Sequence, residues 1–253
     1  MSELKHGQSA ASAIETTDLT RCFGDLTAVD HLNLTVNQGE LFALLGVNGA
    51  GKTTLIRILS GLLAPTSGEA LVMGKSILRE PAAVKAVIGV SPQETAVGAR
   101  LTVRENLSLI CGVYGYDKHE RTEKTAAMLR RLKLTGVADK RAQTLSGGWM
   151  RRLSIAMALI SEPKVLFLDE PTLGLDVLIR RELWQIIREL KGATTIVLTT
   201  HYLEVAEALS DRIGIMAHGH LKALGTAEEL KQRTGVQNFE DAFIQLAGEE
   251  MVS

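Results

Sequence analysis

The chain has 253 residues, of which 45% are hydrophobic and 23% charged, so it can bury a core and is not a disordered tail. Its 28 basic and 29 acidic residues give a net charge of -1, and only 4% of its residues are aromatic. This balance argues against a dedicated nucleic-acid binder, which shows a basic excess or an aromatic stacking platform.

The amino-terminal segment, residues 1–14, is mostly small and polar. It lacks the apolar stretch of a secretory signal, so we predict a disordered lead-in. No run of 18 apolar residues occurs, and no transmembrane helix is expected. The two cysteines lie far apart and outside any cluster of metal ligands. A zinc site and a disulfide framework are therefore not expected, and the cytosol is the natural compartment.

The first strong signal is a phosphate-binding loop between a strand and a helix. An alternating strand over 32–36 precedes a continuous apolar run over 41–45, which is typical of a strand covered on both faces. Residues 46–53 then fit G-x-x-x-x-G-K-[ST]. A helix is predicted after them from the helical spacing of Leu55, Ile58, Leu59 and Leu62. Lys52 is expected to reach the β- and γ-phosphates, and Thr53 to ligate Mg²⁺. The alternative is a glycine-rich turn with a chance lysine.

The middle of the chain changes character. From about 101 to 152 the pattern becomes polar, basic and helical, which predicts a helical subdomain inserted between two halves of the sheet. Near its end, Ser146, Gly147 and Gly148 precede an apolar and basic helix. The hydroxyl and backbone amides at such a helix start can bind an anion, but the serine can equally be a plain N-cap.

A second buried strand, 165–168, ends in Asp169 and Glu170. Two charges at the end of an apolar strand need partners. Beside a phosphate loop, Asp169 is expected to hold Mg²⁺ through water and Glu170 to act as general base for the attacking water. The alternative is an exposed acidic strand end. A helix over 179–190 and a third strand over 194–199 follow, so strands and helices alternate as in a parallel sheet.

Over about residues 15–230 the chain resembles the ATP-binding subunits of ABC transporters, with six landmarks in order. The matching segments are Walker A at Gly46–Thr54 (with Gly46, Asn48, Gly49, Gly51, Lys52, Thr53 and Thr54), the Q-loop residue Gln93, the signature Leu145–Trp149, Walker B at Val165–Asp169 with Glu170 following, the D-loop Gly174–Asp176, and the switch residue His201. Phe23 lies where the family has an adenine-stacking aromatic residue.

The resemblance implies a fold and a site. The fold is α/β, a phosphate-loop NTPase of ABC type with a mainly parallel sheet, an antiparallel β subdomain and the helical subdomain. The ligands are ATP and Mg²⁺. The implied catalytic residues are Glu170, His201 and Gln93, and the implied metal-site residues are Thr53, Gln93 and Asp169. The implied nucleotide-binding residues are Phe23, the Walker A residues, Ser146, Gly147, Gly148 and Asp176.

The resemblance also implies a mode of action. Two ATPase subunits, identical or paralogous, close around two ATP molecules, each held between Walker A of one and the signature of the other, and drive a separate membrane permease. Three positions depart from the family pattern: Trp149 replaces the signature glutamine, Val177 follows Asp176 where many relatives have proline, and Phe23 replaces tyrosine.

Within the family, we expect the ATPase of an exporter, peripheral at the cytoplasmic face of the cell membrane through its permease and without a nucleic-acid partner. Four stretches are similar to those of single-domain ATPases that serve type-2 export permeases: Leu41–Thr54, Leu101–Leu107, Gly174–Asp176 and Asn238–Phe243. A compact importer and a non-transport ABC ATPase remain as alternatives. The predicted division is a lead-in at 1–14, the ATPase domain at 15–230, and a C-terminal helical extension at 231–253.

Overall fold

The computed structural model describes residues 11–248, which form ten strands and nine helices. The strands are β1 (Ser12–Phe23), β2 (Leu26–Asn37), β3 (Leu41–Leu45), β4 (Ser67–Val72), β5 (Lys75–Ser76), β6 (Ile88–Ser91), β7 (Val165–Asp169), β8 (Thr195–Thr200), β9 (Arg212–Ala217) and β10 (His220–Gly225). The helices are α1 (Lys52–Leu59), α2 (Pro81–Lys85), α3 (Val103–Val113), α4 (Lys118–Arg131), α5 (Gly147–Leu159), α6 (Val177–Leu190), α7 (Leu203–Leu209), α8 (Ala227–Thr234) and α9 (Phe239–Ala247).

The strands form two sheets. A six-stranded sheet has the order β10-β9-β3-β8-β7-β6, in which only the β9–β10 pair is antiparallel. A four-stranded antiparallel sheet has the order β2-β1-β4-β5. The predicted α/β class, with a mainly parallel sheet and an antiparallel β subdomain, is confirmed.

Strand β3 is covered on both faces, as its continuous apolar sequence predicts. Phe42 and Leu44 belong to a core shared with the antiparallel sheet and α1. Leu41, Ala43 and Leu45 belong to the other core, shared with the helical subdomain and α6. Strand β3 lies between β8 and β9. The loop that follows β3 therefore emerges near the middle of the sheet edge formed by the carboxyl ends of the parallel strands.

The helical subdomain is built from α3, α4, two short 3₁₀ turns at Thr135–Val137 and Ala142–Thr144, and the start of α5. Helices α3 and α4 begin with reciprocal capping boxes, in which Thr102 pairs with Glu105 and Asp117 pairs with Glu120. Helix α5 continues past residue 152 and packs along β6, so it joins the subdomain to the sheet.

Two sequence predictions need correction. The lead-in was expected to reach residue 14, but Ser12–Ile14 are part of β1, because Ile14 pairs with strands on both sides and is fully buried. Residues 1–10 lie outside the described part, and their disorder stays a prediction. Leu62 was assigned to the helix after the phosphate loop, but α1 ends at Leu59, since Gly61 has a φ of +67°.

The carboxyl-terminal region predicted at 231–253 contains two helices up to residue 248, and the first of them begins earlier than 231. Residues 249–253 lie outside the described part. Helix α8 spans the predicted boundary, and α9 packs on α8 and on the β9–β10 hairpin. Phe239 is buried by this packing. Within residues 11–248, no helix is both long and apolar enough to span a membrane.

Candidate nucleotide-binding and hydrolysis site

The loop between β3 and α1 can adopt its shape only with glycine at particular positions. Gly49 and Gly51 have φ values of +85° and +103°, in the left-handed region. A Cβ at Gly51 would overlap the carbonyl oxygen of Ala28, and one at Gly46 would overlap that of Met216. The loop is therefore held between β2 and β9, with its backbone leading into the positive N-terminal end of α1.

Lys52 is the first residue of α1, and its side chain returns over the loop. Its Nζ donates to the carbonyl oxygens of Gly46 at 2.7 Å and Val47 at 3.0 Å. Burial lowers the pKa of Lys52 below its ordinary value, and the nearby carboxylates of Glu170 and Asp169 offset part of that shift. The lysine thus lies at the centre of the loop, with its ammonium group bound to the loop carbonyls.

Asp169 ends β7 and forms a network with its neighbouring strand. Asp169 pairs in register with Thr199 on β8, whose hydroxyl donates to Asp169 Oδ1 at 2.5 Å. The Thr53 hydroxyl donates to the same oxygen at 3.2 Å. Thr199 was not identified from the sequence. The available signal was its polar side chain near the end of an otherwise apolar strand.

Glu170 has an unusual backbone and an unusual side-chain environment. Its φ is +47°, which is rare for a residue other than glycine, and its N–H donates to the Thr199 hydroxyl at 2.9 Å. Within the described residues, neither of its buried carboxylate oxygens has a hydrogen-bond partner. Oε1 lies 3.7 Å from Lys52 Nζ and 3.1 Å from His201 Nδ1, but the His201 contact lacks hydrogen-bond alignment. Such a carboxylate is free to accept a proton from a ligand.

The predicted catalytic residues meet in one cleft of about 500 Å³. Its lining comprises Phe23, Leu26, Ala28, Asn48, Gly49, Ala50, Gly51, Lys52, Thr53, Thr54, Gln93, Glu170, Leu173 and His201. Gln93 also borders an adjoining depression with Thr53 and Asp169. Of the predicted Walker A residues, Gly46 alone is outside this lining, and it acts through close packing on Met216.

Phe23 forms the wall of the cleft beyond the phosphate loop. Its ring is 44% exposed, and the guanidinium carbon of Arg21 lies 4.5 Å from the ring centroid. Arg21 also donates to the carbonyl oxygen of Ala64 at 3.0 Å, which fixes it over one side of the ring. The exposed ring area at the cleft is suited to stacking on a flat aromatic ligand.

The signature residues lie apart from this cleft. Ser146 is the exposed N-cap of α5, and its side chain makes no capping hydrogen bond, so the plain N-cap alternative is not supported. Gly147 is exposed in a depression beside Gly174 and Leu175. None of residues 146–148 lines the cleft around Lys52.

Gly148 and Asp176 have structural contacts at the same end of α5. A Cβ at Gly148 would overlap the side chain of Ile179, so the glycine lets α5 and α6 approach closely. Asp176 caps α6 by accepting from the N–H groups of Leu178 and Ile179, both at 3.0 Å. Asp176 does not line the cleft, and its predicted contact with nucleotide stays a prediction.

The oxygen groups at Thr53 and Asp169 fit a magnesium ion better than a metal with a full protein cage. Among residues 11–248, no group of three or more histidine, cysteine, aspartate or glutamate side chains is arranged to hold a metal. Mg²⁺ in proteins is bound through one or two side-chain oxygens, water and substrate phosphates. The adjacent Thr53 hydroxyl and Asp169 carboxylate supply that kind of incomplete oxygen set.

A phosphate loop after a central parallel strand, with acidic residues ending a nearby strand, defines a phosphate-loop NTPase. A protein-family model described as ABC transporter matches residues 29–173. A second model, described as an AAA domain, matches residues 142–207. The chain belongs to the ABC transporter ATP-binding family.

The curated relatives include proteins named for multidrug transport and for drug resistance. The chain is 40% identical over 246 residues to the Escherichia coli "Probable multidrug ABC transporter ATP-binding protein YbhF", covering 95% of this chain and 42% of the relative. It is 43% identical over 227 residues to the "Daunorubicin resistance ATP-binding protein DrrA3" of Streptomyces coeruleorubidus, covering 89% of this chain and 72% of the relative. The chain thus spans less than half of YbhF and most of DrrA3.

Solved structures have the same architecture. An ATP-binding subunit of an ABC transporter is 28% identical, with a TM-score of 0.84, over 93% of this chain and 100% of that one. The ATP-binding cassette MJ0796, in a dimeric post-hydrolysis state bound to ADP and Pi, is 26% identical with a TM-score of 0.77, over 84% of this chain and 98% of that one.

Proposed function

We propose that this chain is the ATP-hydrolysing subunit of an ABC exporter, in which two subunits close around two ATP molecules and drive a separate membrane permease. The observation that carries the proposal is the convergence of Lys52, Glu170 and His201 in one cleft at the phosphate loop. This set combines a cation for phosphate with a carboxylate that has no hydrogen-bond partner among the described residues and can act on water. These are two requirements of phosphoanhydride hydrolysis at a phosphate loop.

Each side chain then has a role. Lys52 and the loop amides stabilise the β- and γ-phosphates, and Phe23 stacks on adenine. Glu170 accepts a proton of the water that attacks the γ-phosphorus, while the bond from this phosphorus to the β,γ-bridging oxygen breaks and ADP leaves. His201, beside Glu170, orients that carboxylate and donates to the γ-phosphate. Mg²⁺, held by Thr53 and Asp169 with Gln93 nearby, would neutralise charge on the phosphate oxygens when bound.

The separation of the signature from the cleft supports a shared site. Ser146 and Gly147 offer exposed donors at a helix start, yet they do not line the cleft of their own chain. Donors from a second copy can converge on the γ-phosphate and bind it through charge-assisted hydrogen bonds. The dimeric state of MJ0796 is consistent with this arrangement.

Mixing two defective variants tests the shared site. Lys52→Ala disables the phosphate loop, and Gly147→Asp places a negative charge where the signature meets phosphate. A Cβ at Gly147 meets only Leu175, at 4.0 Å, so this substitution fits the fold. In a mixed dimer, one site combines an intact loop with an intact signature. We expect phosphate release from the mixture and little from either variant alone.

The control for this experiment is Gly147→Ala, which adds no charge at the same open position. It should hydrolyse ATP within about threefold of the unmodified protein, since no charge-assisted contact is lost. Recovery of activity in the mixture is the decisive result. If the mixture is as inactive as its components while both variants remain folded, each chain carries a complete site of its own and the shared-site proposal fails.

An apolar cleft of about 410 Å³ supports a protein partner. It lies between the sheet and the helical subdomain, and its exposed apolar residues are Leu62, Val113 and Tyr114. Contiguous exposed apolar surface of this kind marks protein interaction sites. The drug-resistance names of the relatives support export, and a permease segment is the occupant we propose.

Capture of the partner tests transport and its direction. Tagged Glu170→Gln protein with ATP and Mg²⁺ should retain a polytopic membrane protein from detergent-solubilised membranes, identified by mass spectrometry. A Leu62→Glu, Val113→Glu variant is the matched control and should lose that protein while keeping ATP binding. Recovery of a substrate-binding protein would favour an importer, and recovery of ribosomal or DNA-bound partners without a membrane chain would favour a non-transport ATPase.

A further inference from the structure

Arg151 is a buried arginine that joins the signature helix to the segment carrying Gln93. It lies on α5, five residues after Ser146, and is 6% exposed. Its Nη1 donates to the carbonyl oxygen of Pro92 at 2.7 Å, and its Nη2 donates to that of Gln93 at 2.8 Å. Both bonds are short and run from one planar guanidinium group to two consecutive carbonyls. They therefore fix both the distance and the orientation of Arg151 relative to the main chain at Pro92 and Gln93.

The environment of this charge differs from that of the next arginine. Arg152 pairs with the carboxylate of Glu182 on α6 and lies over the ring of Trp149. In the part of the chain that the structure describes, Arg151 has no carboxylate within ion-pair distance. Burial lowers the pKa of Arg151, and the carboxylates of Asp169 and Glu170, beyond ion-pair distance, offset part of that shift. A buried cation whose hydrogen bonds go to main-chain oxygens is an unfavourable choice for stability alone, because apolar residues fill such space at a lower free-energy cost.

The two ends of this connection face different nucleotides in the proposed dimer. Ser146 is the exposed N-cap of α5 and would meet the nucleotide of the partner, whereas Gln93 borders the cleft of its own chain. At about 1.5 Å per residue, Ser146 and Arg151 are separated by about 7.5 Å along the helix. A second contact, between the hydroxyl groups of Ser91 and Ser154 at 2.8 Å, attaches the same helix to the end of β6.

We propose that Arg151 is a positioning residue that couples the two ATP sites of the dimer. When Ser146 and Gly147 engage the partner's ATP, α5 moves as a rigid rod, and the guanidinium group transmits that movement to the main chain at Pro92 and Gln93. The Gln93 side chain is thereby brought to, or withdrawn from, the γ-phosphate in its own cleft. This inference rests on the proposed shared site, and it adds a side chain through which one site senses the other.

The physical basis is the rigidity of the connection. A guanidinium group bound to two adjacent carbonyls cannot rotate without losing one bond. A displacement of α5 therefore moves the main chain at Pro92 and Gln93 instead of only reorienting the Arg151 side chain. A misplacement of about 1 Å at a catalytic group lowers rate by up to about 100-fold. Arg151 does not line the cleft around Lys52, so its removal should change turnover and cooperativity while leaving ATP binding at the loop intact.

The test compares Arg151→Met and Arg151→Lys with Glu182→Ala. Methionine fills space without either hydrogen bond, and lysine keeps the charge but not the planar fork. Glu182→Ala is the matched control, because it removes the partner of the neighbouring arginine without touching Pro92 or Gln93. Phosphate release is measured against ATP concentration, ATP affinity by calorimetry, and folding by thermal denaturation.

We expect the unmodified protein to hydrolyse ATP with a Hill coefficient above 1. Arg151→Met should lower kcat by about 10- to 100-fold and bring the Hill coefficient to about 1, with ATP affinity changed less than about twofold. Arg151→Lys should be intermediate in both. Glu182→Ala should keep the cooperativity, even where its melting temperature falls as far as that of the Arg151 variants.

Several results would overturn the inference. They are a Hill coefficient of about 1 in the unmodified protein, unchanged kcat and cooperativity in Arg151→Met, or an equal loss of cooperativity in Glu182→Ala. Should Arg151→Met fail to fold, unchanged cooperativity in Arg151→Lys has the same force. Failure of the proposed function itself is distinguishable, since the unmodified protein would then show neither ATP hydrolysis nor recovery in the mixed-variant experiment.

Discussion

Replacing Glu170 with glutamine isolates the chemical step from binding and folding. Glutamine has nearly the same volume, so the buried site at the end of β7 gains no cavity. Both carboxylate oxygens lack hydrogen-bond partners among the described residues, so the substitution breaks no such bond there. What disappears is a negative charge 3.7 Å from Lys52 Nζ and the capacity to accept a proton.

The two losses have different consequences. Loss of a general base lowers turnover by about 10²- to 10⁴-fold. At 1.36 kcal/mol per tenfold change, this corresponds to about 3 to 5 kcal/mol in the activation barrier. Loss of the negative charge removes a group that repels phosphate and leaves Lys52 more available to the ligand. ATP affinity should therefore stay unchanged or increase.

Phosphate release at saturating ATP and Mg²⁺ gives kcat, and calorimetry gives the ATP dissociation constant. We expect kcat of Glu170→Gln to fall at least about 100-fold while the dissociation constant does not rise. Glu182→Gln is a control, because it neutralises a carboxylate that lies outside the cleft on α6. Turnover of Glu170→Gln within about threefold of the unmodified protein would refute the assignment of Glu170 as the base.

Three further substitutions test the binding residues. Lys52→Ala should weaken ATP binding by about 10- to 100-fold, the value of a hydrogen bond to a charged group, and unchanged affinity in calorimetry would contradict the phosphate-loop role. Phe23→Ala should weaken it by about 5- to 150-fold through lost base stacking, whereas Phe23→Tyr should not; equal affinities in nucleotide titrations would show that adenine binds elsewhere. Gly51→Ala should lower the melting temperature more than Gly49→Ala, because only the Gly51 Cβ would overlap Ala28, and equal melting temperatures would exclude that steric argument.

Local sequence patterns predicted the central strands well. The bounds of the apolar run 41–45 coincide with those of β3. The run 165–168 matches β7 except that the strand also includes Asp169. Both strands lie inside a parallel sheet that is covered on two faces. Strands buried in this way are continuous apolar runs, which can be identified from the sequence alone. Helix α6 begins two residues before its predicted start at 179, because Asp176 caps the first turn.

Contacts between distant segments were beyond the sequence. Nothing near Ser12 indicates that it belongs to a strand, since the hydrogen bonds of β1 come from β2 and β4. The Thr199 contact with Asp169 depends on the order of strands in the sheet. The Arg151 bonds depend on how α5 crosses the end of β6. Thr199 and Arg151 have ordinary local sequence contexts, and only the tertiary arrangement brings them to the site.

The distance of Ser146 from its own cleft has a kinetic consequence. If two chains must meet to complete a site, the specific activity of the isolated subunit is a function of protein concentration and not a molecular constant. In dilute solution the rate per chain should rise with concentration until most chains are paired. A permease that holds two subunits side by side makes their association intramolecular. Each subunit then meets the other at an effective concentration in the millimolar range. In the proposed transporter, the membrane partner would thus activate the subunits through tethering, before any conformational signal passes between the proteins.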